Sequence, residues 1–252
     1  MNDVHSQKPK WNALVGVLYV VLIFFVSQMI SLMLLSMFLA SKHLSVDQMS
    51  SYLDGSVIAQ FFYILIAESL AIGLVYMFLK WHKSGFASIG LIKPKWRDVG
   101  YGLAFVPVYY LVYLITLGIA SVLVPSLNIN QEQQIGFNNV QGTLNLTLTF
   151  FSLVILPPLA EEIMARGLLY SSLKKAMPIA GAAVITSMIF AAAHLPEGGA
   201  AGPLYVAAID TFILSLVLVY LREKTGSLWS SITLHSFKNG VAFVLLFVLH
   251  IN

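Results

Sequence analysis

A succession of long apolar runs constrains this chain more than any other feature. Seven stretches are each long enough, or nearly so, to cross a hydrocarbon layer that needs about 20 apolar residues in a helix. We therefore predict an all-α fold, a polytopic membrane bundle of seven transmembrane helices. An eighth, re-entrant or interfacial helix remains open in 41–56 or 125–143. The seven runs span residues 12–40, 57–80, 99–124, 144–173, 178–195, 203–221 and 227–250.

Composition supports a helical membrane protein and excludes several other classes. Hydrophobic residues make up 58% of the chain and charged residues 10%, whereas soluble domains carry about 25% charged residues. Barrel strands would alternate over about ten residues, and no such pattern occurs. Cysteine is absent, which excludes disulfides and a thiolate nucleophile. The net charge of +3 is spread over loops, so we expect a lipid bilayer and no nucleic acid as partner.

The basic residues outside the runs predict the orientation. The N-terminal tail and the six successive loops carry 2, 1, 5, 0, 2, 0 and 2 of them, and the C-terminal end carries none. Loops rich in lysine and arginine remain on the cytoplasmic side of a membrane. This alternation predicts a multi-pass protein of the cell membrane with a cytoplasmic N-terminus and an extracytoplasmic C-terminus. The basic, tryptophan-flanked segment 81–98 is expected to lie in the cytoplasmic headgroup region.

Two adjacent carboxylates and an arginine lie inside the fourth run, where each charge costs about 2.5–3.5 kcal/mol on insertion scales. Glu162 and Arg166 are four residues apart, so they share a helix face and predict an ion pair. Glu161 points about 100° away from Glu162, which leaves it to act as a base in a cavity. Pro157 and Pro158 should loosen the helix one turn earlier.

Two further spans carry polar residues at four-residue spacing. Phe190 and His194 share one face of the fifth run, and His235 and Asn239 share one face of the seventh. At a rise of about 1.5 Å per residue, Glu161 and these groups lie about 12–24 Å from the cytoplasmic end. The depths overlap within the uncertainty of helix tilt. We therefore predict one shared polar site, with separate helix–helix hydrogen bonds as the alternative.

Such a site could hydrolyse a peptide bond in two ways. A carboxylate and a histidine, Glu161 and His194, can activate water, while His235 and Asn239 donate hydrogen bonds to the oxyanion. Alternatively, Glu161, His194 and His235 could hold zinc or another divalent metal with an open position. The first mechanism requires no cofactor. The residues alone do not choose between them.

The three spaced motifs resemble those of the CPBP family, named for CAAX proteases and bacteriocin-processing enzymes and also called the Abi family. The resemblance covers about residues 144–245, and the first three spans carry no marker of it. The matching residues are Glu161, Glu162 and Arg166 followed by Gly167, then Phe190 and His194, then His235 and Asn239.

The resemblance implies an intramembrane endopeptidase of a membrane-associated peptide or protein. In CAAX-processing members, residues matching Glu161 and His194 are taken to activate water, and those matching His235 and Asn239 to stabilise the oxyanion. Ala165 stands where many members have a bulky aromatic residue. The alternative is a non-proteolytic scaffold or bacteriocin immunity protein of the same family. A transporter is least favoured, because no inverted repeat of broken spans occurs.

The catalytic motifs also suggest how the chain is divided. We expect one integral membrane domain in which residues 1–143 supply N-terminal transmembrane helices and loops and residues 144–252 supply the CPBP-like catalytic helices. Asp210 lies in the sixth run. Its spacing does not link it to the other polar residues, although it could support the site from behind.

Overall fold

The computed structural model describes residues 11–131, 136–137 and 140–250, with no strand among them. Seven of the described helices are long and apolar enough to cross a membrane, which confirms the predicted all-α bundle. The protein is therefore a multi-pass membrane protein. In chain order the helices are α1 (Ala13–Ala40), the short α2 (Val46–Gly55), α3 (Val57–Trp81), α4 (Trp96–Leu123), α5 (Gly142–Ala176), α6 (Ile179–Ala193), α7 (Tyr205–Thr225) and α8 (Leu228–Val248).

The helix α2 lies in 41–56, one of the two segments in which an eighth, re-entrant or interfacial helix was left open. It has ten residues, begins with a capping box between Ser45 and Gln48, and buries none of its side chains. At about 1.5 Å per residue it is far too short to span a bilayer. In the other candidate segment, 125–143, the described residues form no helix before Gly142, and residues 132–135 and 138–139 lie outside the description.

The prolines of α5 coincide with irregular helix, as predicted. A π-helical segment, Phe151–Ile155, precedes Pro157 and Pro158, and a second one, Ile163–Leu169, follows them. Proline lacks a backbone N–H and crowds the carbonyl four residues earlier. π-Helical insertions relieve such conflicts and are common at functional sites. The part of α5 with the two glutamates is thus held between two irregular turns.

The long helices pack so that α5 and α8 lie at the centre. α5 contacts α1, α3 and α8, and α7 contacts α4, α6 and α8. The N-terminal helices therefore cover one side of α5. α4 and α7 pack against α8, and α6 packs against α5 and α7. Lipid tails are as apolar as leucine, so polar groups and close packing must specify these contacts.

Several basic residues lie at one end of the bundle. Lys174, in the last turn of α5, forms an ion pair with Glu223 of α7 (Nζ to Oε2, 2.6 Å). Lys175 donates a hydrogen bond to the carbonyl of Trp11, just before α1. Cations in the last turn also complement the helix dipole. Lys8 and Lys10, used above to predict orientation, lie outside the described residues.

The connection between α3 and α4 differs in part from the expected interfacial segment. Trp81 and Trp96 are 78% and 90% exposed, as expected of headgroup anchors. Between them, however, a 3-10 turn (Phe86–Ile89) enters the bundle, and Ile89 is fully buried. A Cβ added at Gly167 would lie 2.9 Å from the Cδ1 of Ile89, so this glycine permits the close packing.

This inserted turn also sets where α8 begins. The Leu228 N–H donates to the carbonyl of Gly90 (2.9 Å), and Leu228 is fully buried. α8 therefore starts beside a segment that is itself inside the bundle. His235 of α8 lies at the level of Glu161, with its Nε2 3.7 Å from the Glu161 Oε2. This agrees with the overlapping depths that residue counting predicted.

Candidate active site

The predicted ion pair between Glu162 and Arg166 forms in the interior of the bundle. The Arg166 Nη1 lies 2.8 Å from the Glu162 Oε1, and both side chains are fully buried. The guanidinium also lies over the ring of Phe190, 4.3 Å from its centroid, which is a favourable cation–π geometry. Burying two charges is costly unless they pair and bond well. The pair therefore indicates a specific polar site inside the bundle rather than incidental packing.

His235 of α8 joins this pair to Glu161. Its Nδ1 lies 2.9 Å from the Glu162 Oε1, and its Nε2 lies 3.7 Å from the Glu161 Oε2. One imidazole thus lies between two adjacent carboxylates. The Glu162 side chain is sealed, whereas the Glu161 side chain is 26% exposed. The neighbouring glutamates differ as the helix geometry predicted, with Glu161 facing the accessible side.

His194 caps the end of α6 and reaches this group indirectly. Its Nδ1 lies 2.8 Å from the Phe190 carbonyl, and its ring packs against the Phe190 ring with centroids 4.8 Å apart. The Nε2 lies 3.9 Å from the Glu197 Oε1. Among the described residues, His194 forms no direct hydrogen bond or ion pair with Glu161. Phe190 connects them, because its ring also packs edge-on against His235 at 6.0 Å.

Asn239 lies one turn beyond His235 on α8 and faces α5. Its Nδ2 donates to the backbone carbonyl of Leu153 over 2.9 Å. An amide NH₂ has two donors, so one hydrogen atom remains for another acceptor. The structure thus brings His235 and Asn239 to the same side of α5, as their spacing predicted.

The metal alternative required Glu161, His194 and His235 to converge. Across residues 11–131, 136–137 and 140–250, no group of three or more histidine, cysteine, aspartate or glutamate side chains is arranged to hold a metal ion. His194 is directed toward Glu197 instead. Because this ligand set does not fit a shared ion in this conformation, we derive no catalytic step through a metal.

The structure contains a second cluster of polar residues that the sequence did not predict. Lys238 of α8 forms an ion pair with Asp210 of α7 (Nζ to Oδ2, 2.9 Å), and the hydroxyl of Tyr109 in α4 donates to the other Asp210 oxygen. Lys238 was recognisable as a cation inside a span. Its partners were not, since Asp210 and Tyr109 lie on other helices at unrelated spacing. The pair links α8 to α7, and the Tyr109 hydroxyl extends this contact to α4.

Comparison with known proteins supports the resemblance seen in the motifs. Residues 143–241 match the family model described as Rce1-like, type II CAAX prenyl endopeptidase Rce1-like. No significant match was found among curated proteins or among solved structures. The matched region contains all the polar residues discussed on α5, α6 and α8, and the family supports a protease. This region therefore matches the CPBP and CAAX protease family that its motifs resemble.

Proposed function

We propose that this protein is an intramembrane endopeptidase that hydrolyses a peptide bond of a membrane-associated peptide or protein. The observation that carries the proposal is the contrast between accessible Glu161 and the buried Arg166–Glu162–His235 chain beside it. A reactive carboxylate needs access to water and substrate, and its neighbours need fixed positions. The family match supports proteolysis independently of this geometry.

Glu161 is the proposed base. Its carboxylate accepts a proton from a water molecule, whose oxygen attacks the carbonyl carbon of the scissile bond. His194 assists from α6. If its Nδ1–H donates to the Phe190 carbonyl, its Nε2 carries the lone pair and can accept a hydrogen bond from the same water.

His235 and Asn239 are the proposed oxyanion donors. Glu162 holds the Nδ1 of His235, so the Nε2 is directed toward the accessible side, where it donates when protonated. Asn239 offers its second N–H after binding Leu153. Donors that are held before the reaction stabilise the developing negative charge without reorganising.

The remaining steps complete the hydrolysis. The tetrahedral intermediate collapses, the carbon–nitrogen bond breaks, and the proton held by Glu161 passes to the departing amine. The products are a carboxylic acid and an amine, and passage of the remaining proton of the water to the amine gives a carboxylate and an ammonium group. Arg166 and Glu162 take no part in bond making and act by orienting His235.

The proposed setting is the cell membrane, with the bundle end that carries Lys174 and Lys175 in the cytoplasm. The clustering of these lysines with Arg222 and Lys224 near helix ends supports that orientation. The C-terminal end, which has no basic residue in its loop, would then face outward.

The test is a cleavage assay with the full-length protein in lipid vesicles. The probes are two membrane-anchored peptides of identical sequence that end in a CAAX motif, one with an S-prenyl cysteine and one without. Hydrolysis is followed by mass spectrometry for the wild type, Glu161→Gln and His194→Ala. Glu223→Gln makes the same acid-to-amide change at the bundle end and is the matched control.

We expect Glu161→Gln to lower the rate by about 10²–10⁴-fold, the contribution usual for a general base, and Glu223→Gln to leave it unchanged. Equal rates for wild type and Glu161→Gln would disprove the role of Glu161. Loss of activity on chelation, restored by zinc, would favour the metal alternative. If the wild type cleaves neither peptide, the scaffold or immunity alternative gains support.

A further inference from the structure

The carbonyl of Leu153 has no hydrogen-bond donor in its own helix. In an α-helix it would accept from the backbone nitrogen four residues later, which belongs to Pro157. In a π-helix it would accept from the nitrogen five residues later, which belongs to Pro158. Neither proline has an N–H. The nitrogen three residues later, that of Leu156, already donates to Phe151.

An unpaired carbonyl at this depth would be costly, because no water in the hydrocarbon region replaces the lost bond. Asn239 supplies the missing donor from α8, with its Nδ2 2.9 Å from the Leu153 oxygen. The two consecutive prolines therefore create an acceptor that only a group outside α5 can satisfy.

We propose that Pro157 and Pro158 are positioning residues that act through Asn239. The backbone of α5 binds one N–H of the Asn239 amide, and the planarity of the amide then sets the direction of the second N–H. This inference rests on the proposed function for the role of the second N–H as an oxyanion donor. The binding of the first N–H to Leu153 does not depend on it.

A proline pair could instead act only by bending α5. The two explanations differ in how the prolines and Asn239 are coupled. A bend alone gives effects that add to those of Asn239, since the two sites act independently. If Asn239 is the donor to the Leu153 carbonyl, the effects do not add. Replacing the prolines supplies this carbonyl with backbone donors, so it no longer needs the Asn239 amide.

The test is a double-mutant cycle on the full-length protein, with Pro157→Ala/Pro158→Ala, Asn239→Ala and their combination. The first readout is the thermal unfolding midpoint in detergent. Asn239→Ala should lower it in the wild-type background, where the Leu153 carbonyl loses its donor from α8. In the proline-free background the same change should have no measurable effect.

The second readout is whether each substitution changes kcat or KM in the vesicle assay. We expect Asn239→Ala to lower kcat by about 10²-fold, as loss of one oxyanion donor does. The proline-free variant should lower kcat in the same direction with KM unchanged, and the combination should be no slower than Asn239→Ala alone. If the double replacement does not fold, the single variant Pro157→Ala takes its place. It restores the backbone N–H that the Leu153 carbonyl would accept in an α-helix.

Pro178→Ala is the matched control, because Pro178 precedes the first turn of α6 away from Leu153. Its effects should add to those of Asn239→Ala. Additive effects of the 157–158 replacement in both readouts would overturn the proposal. The thermal readout needs no hydrolysis, so a failure of the proposed function leaves this test of the Leu153 contact intact.

Discussion

The interior and the end of the bundle each contain an ion pair that involves α5, and the two differ in burial rather than in chemistry. Glu162 and Arg166 are 2.8 Å apart with both side chains fully buried. Lys174 and Glu223 are 2.6 Å apart with side chains 41% and 26% exposed. We refer to them as the interior pair and the rim pair. Similar distances at such different exposure show that contact length alone does not indicate importance.

The interior pair contacts other residues of the candidate active site, whereas the rim pair lies at the end of the bundle. Glu162 binds His235 as well as Arg166, and Arg166 also contacts Phe190. Removing one member would therefore leave buried charge and release a histidine. When one member of the rim pair is removed, water solvates the charge of the other.

A third pair, Lys238 with Asp210, is intermediate. Its side chains are 21% and 16% exposed, and Tyr109 adds a hydrogen bond from α4. The three pairs form a series of decreasing burial, and substitutions along this series test whether burial decides their energetic value.

The largest effect is expected at the interior pair. Arg166→Met should lower the free energy of unfolding by about 3–5 kcal/mol, because it leaves the Glu162 charge buried without its partner. Equilibrium unfolding in mixed micelles measures this. The double variant Glu162→Met/Arg166→Met should cost less than the sum of the two single variants, since no isolated charge remains. A single variant as stable as the wild type would show that burial does not decide how much this pair contributes to the free energy of unfolding.

An intermediate effect is expected at Lys238. Lys238→Met removes a charge-assisted hydrogen bond from Asp210, a change of about 1.5–3 kcal/mol in unfolding free energy, while Tyr109 continues to bind the carboxylate. The same unfolding measurement applies. Lys238→Arg retains the charge and should recover most of the loss, so an equal loss in both variants would contradict the ion-pair explanation.

The smallest effect is expected at the rim pair. Lys174→Met should change the unfolding free energy by about 0–1 kcal/mol, the range for exposed pairs, and should leave peptide hydrolysis unchanged. Raising the salt concentration should reduce even this difference by screening. A loss comparable to that of Arg166→Met would remove the distinction between interior and rim.

The sequence determined those features that depend on local pattern. Apolar runs of sufficient length predicted the seven spans, because a bilayer demands backbone bonds satisfied within each segment. The four-residue spacing predicted the pair of Glu162 with Arg166, and the rotation between neighbours predicted that Glu161 would be accessible. Each follows from the geometry of a single helix.

Only the tertiary structure decided how the helices meet. The buried turn at Ile89 and the hydrogen bond from Leu228 to Gly90 fix where α8 begins beside the segment that follows α3. The contact of Asn239 with Leu153 and the separation of His194 from Glu161 depend on side chains from distant parts of the chain. Such contacts arise from packing between helices, and no local spacing in the sequence encodes them.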